Sequence, residues 1–252
     1  MSNQDFTSCD PMGFVFLQQF KGIPEQEIEE RSDGFINAGP GGNYYVAGYS
    51  DWFDHEKTAI AVAQGKVLDA GCGAGRHALY LQTLGFDVDG IDQSKTAIDV
   101  AKARGLRSAR VCSIEDLKVS DGPYDTILLL GNDLGLLRDK QSASSFLRKL
   151  HSITNPDAII LGESVDISKA TSEAHLRYQK DNVAQGKMPG QIRMRIRCRD
   201  EATDWFDYLL LTPSELEQLA VGNGWQVENL YCGDYRYIAK LRRSEKIAKS
   251  DS

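Results

Sequence analysis

Apolar and polar positions alternate in blocks along the middle of the chain, where short apolar runs are separated by stretches with helical periodicity. Strands that alternate with helices of about ten residues are typical of a parallel sheet covered by helices on both faces. The apolar runs predict strands at Lys66–Ala70, Phe86–Ile91, Arg107–Cys112, Tyr124–Leu130 and Ala158–Glu163. The stretches around them predict helices over residues 52–64, 76–84, 94–104 and 141–151, with Ser94 as the cap of the third.

The last third of the chain has a different pattern. Gln191–Cys198 and Trp205–Leu211 predict an antiparallel hairpin, and Thr212 with Glu215 forms a capping box that opens a helix. Trp225–Tyr231 and Tyr235–Leu241 predict a closing antiparallel pair. The expected units are an N-terminal arm or lid over 1–50, a core over 51–164, an insertion over 165–211, a completion of the core over 212–241 and a flexible tail over 242–252.

Composition excludes several classes of protein. The 252 residues contain 29 Lys and Arg against 36 Asp and Glu, a net charge of −7, which disfavours a nucleic-acid-coating protein. No apolar run reaches the ~18–20 residues of a membrane helix, and Met1–Phe20 lacks the basic start of a signal peptide. We therefore expect a cytoplasmic protein with no membrane, nucleic-acid or metal partner. Its five scattered cysteines predict neither a disulfide framework nor a zinc site (Cys9, Cys72, Cys112, Cys198, Cys232).

A glycine-rich loop is the most informative segment, and it lies where the first predicted core strand passes into a helix (VLDAGCGAGRH, residues 67–77). Alternate glycines permit a sharp turn and a close approach of ligand to backbone. A dinucleotide fingerprint needs glycine at its first, third and sixth positions, but Arg76 takes the sixth place after Gly71 and Gly73. Asp69 precedes the loop, and a carboxylate there favours a ligand that carries an ammonium group. The loop therefore predicts a zwitterionic ligand.

The loop resembles the first motif of class I S-adenosylmethionine-dependent methyltransferases, an acid followed by G-x-G-x-G. The second core strand ends at Asp92, 21 residues after Gly71, and Tyr124–Asn132 is similar to the fourth motif of that family. The resemblance extends motif by motif over residues 60–163. It implies a Rossmann-like α/β fold, with a seven-stranded sheet whose last strand is antiparallel and helices on both faces, and S-adenosyl-L-methionine as cofactor.

The resemblance also implies which residues contact the cofactor. Asp92 would bind the ribose, Gln93, Ile114 and Glu115 would lie at the adenine, and Gly131 with Asn132 would face the methionine part. Asp69 could instead cap the loop, and Asp92 could cap the helix that follows it. The complete expected set is Asp69, Gly71, Cys72, Gly73, Gly75, Arg76, Asp92, Gln93, Ile114, Glu115, Gly131 and Asn132.

Methyl transfer from a sulfonium leaves few catalytic residues to look for, because the methyl group is already activated. The four histidines show no pairing pattern with Ser or Cys, and the candidates for a catalytic role are His175 and Tyr44. Tyr44 and Tyr49, in an aromatic segment that could act as a lid, are candidate substrate contacts.

Arg193 and Arg195 are also candidate substrate contacts. Arginines alternate with apolar residues along the first strand of the hairpin, so they share one face. That face either binds an anionic group of the substrate or is solvated and paired with nearby acids.

Several functions remain compatible with the sequence. The preferred hypothesis is a methyltransferase that acts on an oxygen or nitrogen of a small molecule by in-line displacement. A nucleic-acid methyltransferase is disfavoured because Gly131-Asn132-Asp133-Leu134 replaces the N-P-P-Y or D-P-P-Y motif of the amino-directed enzymes. A nicotinamide-dependent oxidoreductase is disfavoured by Asp69 and Arg76. A non-catalytic S-adenosylmethionine-binding protein stays open, as do the acceptor, the methylated atom and a homodimer.

Overall fold

Two β-sheets organise the chain in a computed structural model that describes residues 10–247, without the side chains of 246 and 247. The larger sheet has seven strands in the order β11-β12-β7-β6-β3-β4-β5. Its first five strands along the chain are mutually parallel, and β12 is antiparallel to both of its neighbours. This confirms the predicted seven-stranded sheet with an antiparallel last strand. The strands are β3 (Lys66–Ala70), β4 (Asp87–Asp92), β5 (Ala109–Val111), β6 (Tyr124–Leu129), β7 (Thr154–Val165), β11 (Asn223–Cys232) and β12 (Arg236–Ile247).

Helices begin close to the predicted positions because their caps are local. Ser94 accepts a hydrogen bond from the Ala97 N–H, and Thr212 and Glu215 form the expected capping box. The helix predicted over 52–64 is shorter than expected. The helices are α1 (Pro11–Phe20), α2 (Gly42–Val46), α3 (Asp54–Ile60), α4 (Arg76–Thr83), α5 (Lys95–Ala103), α6 (Lys140–Ser152), α7 (Glu173–Ala184) and α8 (Pro213–Val221).

The core lies on both faces of the large sheet. In β6 and directly after it, Ile127 and Leu129 pack in one apolar cluster, whereas Leu128 and Leu130 pack in the other. A strand covered on both faces has a continuous apolar sequence, which is what YDTILLL shows. Each fully buried leucine or isoleucine stabilises the fold by ~1.5–3 kcal/mol relative to an exposed one.

The second sheet joins the N-terminal arm to the insertion, and we call it the capping sheet. Its strands run in the order β10-β8-β1-β2, and β9 pairs with β8. The predicted hairpin is confirmed, since β8 and β10 are antiparallel. The sequence did not indicate that β1 would pair with β8, from Ile28 opposite Arg197 to Arg31 opposite Met194. The strands are β1 (Ile28–Arg31), β2 (Ile36–Ala38), β8 (Gln191–Cys198), β9 (Glu201–Ala202) and β10 (Phe206–Leu209).

The capping sheet docks on the edge of the large sheet where the parallel strands end. The Tyr208 hydroxyl donates to the Asn132 carbonyl at 2.5 Å, and its ring lies directly over Gly135. The Leu211 N–H donates to Ser164 Oγ at 3.1 Å. These contacts enclose a space between the two sheets.

The prediction of a flexible tail over 242–252 is wrong for residues 242–247. Strand β12 continues to Ile247, because Arg242 stands opposite Ile159 in β7 and Gln226 in β11. Residues 248–252 lie outside the described part of the chain, as does Cys9.

Two further findings apply to the described range 10–247. No helix there is both long and apolar enough to cross a membrane. Within the same range, no three His, Cys, Asp or Glu side chains are grouped so that they could hold a metal ion.

Candidate active site

A cavity of about 1400 Å³ lies between the carboxyl ends of β3, β4 and β6 and the inner face of the capping sheet. Ligands of open α/β sheets bind at this edge, outside the carboxyl ends of the strands. The cavity wall contains every residue of the predicted cofactor set except Asp69 and Gly75. Those in the wall are Gly71, Cys72, Gly73, Arg76, Asp92, Gln93, Ile114, Glu115, Gly131 and Asn132.

The glycine loop makes a tight turn at one end of the cavity. Gly71, Gly73 and Gly75 all have positive φ, at 88°, 50° and 81°, which only glycine adopts without strain. The N–H groups of Gly71 and Cys72 both donate to the Ile91 carbonyl at 2.9 Å, which ties the turn to the next strand. Gly75 packs against Ala101 and Leu79 rather than the cavity, so its role is to start α4.

Asp92 and Asp69 both hold backbone around this turn. Asp92 accepts hydrogen bonds from the Gly73 N–H at 2.9 Å and the Ser94 N–H at 2.8 Å. Burial raises its pKa, and these hydrogen bonds only partly oppose the rise. Asp69 is buried behind the loop, accepts from the Ala78 N–H at 3.1 Å, and has its pKa raised by burial to about 6. Asp69 therefore supports the turn from behind rather than lining the cavity.

Asp133 is a site residue that the sequence reasoning did not select. Its carboxylate lies beside Gly71, so close that a Cβ at that glycine would be 2.4 Å from Oδ2. Burial raises its pKa well above the usual value, as do the charges of Asp92, Asp69 and Glu163. The signal that could have found it is an acid two positions after Gly131, at the end of the most apolar strand. Three carboxylates thus surround one turn, and a cationic ligand would relieve their mutual repulsion.

A buried ion pair forms the floor beside the loop. Arg76 donates to both carboxylate oxygens of Glu56, at 2.5 and 3.1 Å, and His77 Nε2 lies 3.4 Å from Glu56 Oε1. Burial alone would raise the pKa of Glu56, but the hydrogen bonds from His77 and Arg76 lower it to about 2. The Arg76 guanidinium also lies 4.4 Å from the Tyr44 ring centre and 5.0 Å from that of Trp52. Arg76, which takes the place of the third glycine in a dinucleotide fingerprint, therefore holds Glu56 in the floor of the cavity.

A second buried carboxylate, Glu163, stands at the end of β7. It accepts the Gly131 N–H at 2.7 Å and lies 3.4 Å from Arg236 Nη1 and 3.9 Å from His55 Nε2. Burial would raise its pKa, but His55, Arg236 and the Gly131 hydrogen bond hold it below the usual value. None of Glu163, Arg236 and His55 was predicted, because only the sheet order brings them to Gly131.

Three hydrogen-bond donors in the cavity wall have no acceptor within the described residues. They are the Tyr44 hydroxyl, Arg76 Nε and Arg236 Nε, and all three atoms are buried. Tyr44 lies close enough to Arg76 and Arg236 for both charges to act on its pKa, which burial raises. Buried donors without acceptors are costly, so an anionic group of a ligand is favoured here.

Two of the predicted substrate contacts lie elsewhere. Tyr49 stacks on Tyr80 with ring centres 4.3 Å apart and does not line the cavity. Arg195 is on the outer face of the capping sheet, where it pairs with Glu30 at 3.0 Å and lies over Trp205. The prediction of these two residues as substrate contacts is therefore wrong. Arg193 reaches the cavity rim but pairs with Asp207 at 3.1 Å.

His175 lines the cavity, but its position does not suit a general base. Arg31 Nη1 lies 3.0 Å from its Nδ1, and because arginine can only donate, Nδ1 must accept. The neutral ring then carries its proton on Nε2 and has no free lone pair. Burial and the charge of Arg31 lower its pKa, so the ring is neutral. Tyr44 is the other catalytic candidate, and its buried hydroxyl has no hydrogen-bond partner within the described residues.

Comparison with known proteins agrees with this architecture. The family model described as a methyltransferase domain matches residues 67–157. The crystal structure of a SAM-dependent methyltransferase from Bacteroides fragilis, in complex with S-adenosyl-L-homocysteine, superposes with a TM-score of 0.80 at 29% identity. That likeness covers 94% of this chain and 95% of the other.

Curated relatives match over shorter segments. A 2-heptyl-1-hydroxyquinolin-4(1H)-one methyltransferase from Mycobacteroides abscessus is 41% identical over 70 residues, which is 25% of this chain and 31% of that protein. A ubiquinone biosynthesis O-methyltransferase from Xanthomonas oryzae is 34% identical over 80 residues, 29% of this chain and 34% of the relative. The chain thus matches about a third of the length of these relatives. Taken together, the motifs, the sheet order and the full-length structural likeness support a class I S-adenosylmethionine-dependent methyltransferase, with a methyltransferase domain over residues 67–157.

Proposed function

We propose that this protein transfers a methyl group from S-adenosyl-L-methionine to an oxygen or nitrogen atom of a small molecule. The observation that carries the proposal is the cavity, which joins a glycine turn ringed by carboxylates to an enclosed space under the capping sheet. The quinolone and ubiquinone methyltransferases named above support a small-molecule acceptor, as does a 26% identical glycine/sarcosine N-methyltransferase from Halorhodospira halochloris.

The residues of the cavity fit each part of this cofactor. Asp92 keeps acceptor capacity for ribose hydroxyls beyond its two backbone hydrogen bonds. Gln93, Ile114 and Glu115 form the wall where the adenine would lie. The unpaired donors of Tyr44, Arg76 and Arg236 match the carboxylate of an amino-acid tail, and Asp133 beside Gly71 matches its ammonium group.

When bound, the cofactor would supply an activated methyl group on a positively charged sulfur. The chain's own task is then to bind, orient and exclude water. The carboxylates around the glycine turn favour a cation there, and the docked capping sheet covers one side of the cavity. His175 Nδ1 accepts from Arg31, so the neutral ring of this histidine has no free lone pair with which to take a proton from the acceptor.

Calorimetric titration tests the proposal. We expect S-adenosylhomocysteine to bind and NADH not to bind. Asp92→Ala should weaken S-adenosylhomocysteine binding at least tenfold, or about 1.4 kcal/mol, because it removes the ribose acceptor and frees the Gly73 N–H.

Asp89→Asn is the matched control, since Asp89 accepts hydrogen bonds from the Ser108 and Tyr124 hydroxyls and does not line the cavity. It should leave affinity unchanged, and circular dichroism should show both variants folded. Binding of NADH, or unaltered affinity in Asp92→Ala, would reject the proposal.

A further inference from the structure

Two acidic side chains lie on the inner face of the capping sheet, above the cavity. Glu27 directly precedes β1 and Glu29 lies within it, so they project to the same side of the strand, and both are in the cavity wall. Glu30, between Glu29 and Arg31, projects to the opposite face and pairs with Arg195 and Arg197 at 3.0 and 3.2 Å. One face of β1 is therefore neutralised by arginines and the other is not.

Glu27 is buried and incompletely bonded. Only 1% of it is exposed, one carboxylate oxygen accepts the Tyr45 hydroxyl at 2.5 Å, and Oε2 has no hydrogen-bond partner. Gly39 makes room for this carboxylate, because a Cβ there would lie 2.1 Å from Oε1. The Oε2 atom of this buried carboxylate therefore loses hydration that no group of the described residues replaces.

No cation of the described residues 10–247 lies within ion-pair distance of Glu27 or Glu29. Glu29 accepts only from the Asn37 side-chain amide, at 3.0 Å. The guanidinium next along the strand belongs to Arg31, which is committed to Asp33 at 2.8 Å and to His175 at 3.0 Å. Arg193 and Arg195 are likewise paired with Asp207 and Glu30. The inner face of the capping sheet thus presents negative charge without a counterion.

The surroundings of the two acids are apolar and aromatic. Tyr44 and Tyr45 lie edge to face with ring centres 5.3 Å apart, and Tyr45 meets Phe16 at 5.1 Å. Met194 and Ile196 of β8 line the same cavity. Aromatic faces and carboxylates together favour an organic cation over a hydroxyl or an anion.

From these contacts we infer that the methyl acceptor carries a basic amine, and that Glu27 and Glu29 bind its ammonium group. The inference rests on the proposed function and narrows its substrate class. Glu27 and Glu29 thereby determine specificity, whichever atom of the acceptor is methylated. Anionic acceptors, which the arginine row had suggested, are disfavoured because those arginines lie outside the cavity or are paired.

The test uses the full chain saturated with S-adenosylhomocysteine and sets of molecules that share one skeleton. One such set is 2-phenylethylamine, 2-phenylethanol and phenylacetate. Further sets of an amine, an alcohol and a carboxylate have larger aryl or alkyl skeletons. Binding by calorimetry, and turnover with S-adenosylmethionine, should favour the amine members at least tenfold over the alcohols and exclude the carboxylates. Glu27→Gln should reduce that preference at least tenfold, mainly through KM.

Glu30→Gln is the matched control, since it is on the same strand but the opposite face, and it should keep the amine preference. S-adenosylhomocysteine affinity is measured for each variant, so that failure of the cofactor site is told apart from failure of this inference. Equal binding of amine and carboxylate members would overturn the inference. So would an unchanged preference in Glu27→Gln, or a loss of S-adenosylhomocysteine affinity in that variant as large as its loss of amine affinity.

Discussion

Buried carboxylates that lie near one another in this protein have pKa values shifted in opposite directions. Asp69, Asp92 and Asp133 have raised pKa values chiefly because they are buried, and the charge of Asp92 raises the pKa values of Asp69 and Asp133 further. Glu56 and Glu163 are also buried, but guanidinium and imidazole groups lower their pKa values. A cationic ligand would therefore stabilise the ionised form of the carboxylates at the glycine turn, whereas Glu56 and Glu163 already have cationic partners within the protein.

Cofactor affinity should depend on pH through the turn. Asp69 has a pKa of about 6, and a cationic ligand favours its ionised form. Affinity for S-adenosylmethionine should therefore rise between pH 5 and pH 7, with proton release on binding near pH 6. Calorimetry in two buffers of different ionisation heat measures that release. Asp69→Asn should reduce the pH dependence and keep an acceptor for the Ala78 N–H.

Asp99→Asn provides the comparison, because Asp99 is an exposed partner of Lys95. Its pH profile should match that of the unmodified protein. If Asp69→Asn shows the same profile as well, Asp69 has no part in binding the cation.

At the scale of elements, one close contact that docks the capping sheet lies between β10 and the segment after β6. Tyr208 lies over Gly135 and donates to the Asn132 carbonyl, so the strand is held next to the carboxyl end of β6. The backbone of the insertion is joined to the arm by the β1–β8 pairing. The arm and the insertion therefore act as one structural unit rather than as two separate lids.

Gly135→Ala should disturb this docking. A Cβ at residue 135 would lie 2.0 Å from the Tyr208 ring, which must move, at a cost of ~1–3 kcal/mol. Urea denaturation should show that loss, and kcat/KM for the acceptor should fall more than S-adenosylhomocysteine affinity. Gly222→Ala is the control, since its Cβ would meet no atom within 4 Å at an ordinary helical φ of −73°. If the two variants behave alike, the Tyr208 contact does not hold the capping sheet.

At the scale of the whole molecule, stability is governed by two sets of acids that titrate in opposite directions. Raised pKa values stabilise the fold at low pH and lose that effect as the pH rises from the ordinary value of 3.8 to about 6, the value for Asp69. Lowered pKa values, such as that of Glu56, stabilise it above pH 4.5 and lose that effect as the pH falls towards about 2. The free energy of unfolding therefore has its maximum at a pH between the pKa values of Glu56 and Asp69.

The unliganded protein should therefore be most stable near pH 4 to 4.5, where the contribution of Glu56 is almost complete and that of Asp69 has only begun to fall. Urea denaturation across pH 3–8 measures the profile. Glu56→Gln should destabilise the protein at pH 7 by about 3–5 kcal/mol, because the Arg76 guanidinium loses its buried partner, and should flatten the acid side of the profile. Stability that climbs steadily from pH 5 to pH 8 would contradict this assignment.

The sequence by itself determined the features that depend on near neighbours. The strands of the large sheet, the glycine turn with Asp92 at the end of the next strand, and the caps at Ser94 and Thr212 all follow from periodicity and from contacts a few residues apart. Buried parallel strands also have a limited set of connections, and the resemblance implied the seven-stranded sheet with its antiparallel last strand.

Only the tertiary structure decided which side chains meet across the cavity. Arg31 meets His175 across 144 positions, Arg195 meets Glu30 across 165, and β1 completes the capping sheet by pairing with β8. Short motifs do not predict such partners, because the pairing depends on how two distant strands align and on which face each strand buries. For the same reason Glu27, Asp133 and Arg236 became candidate site residues only when the sheets brought them to one cavity.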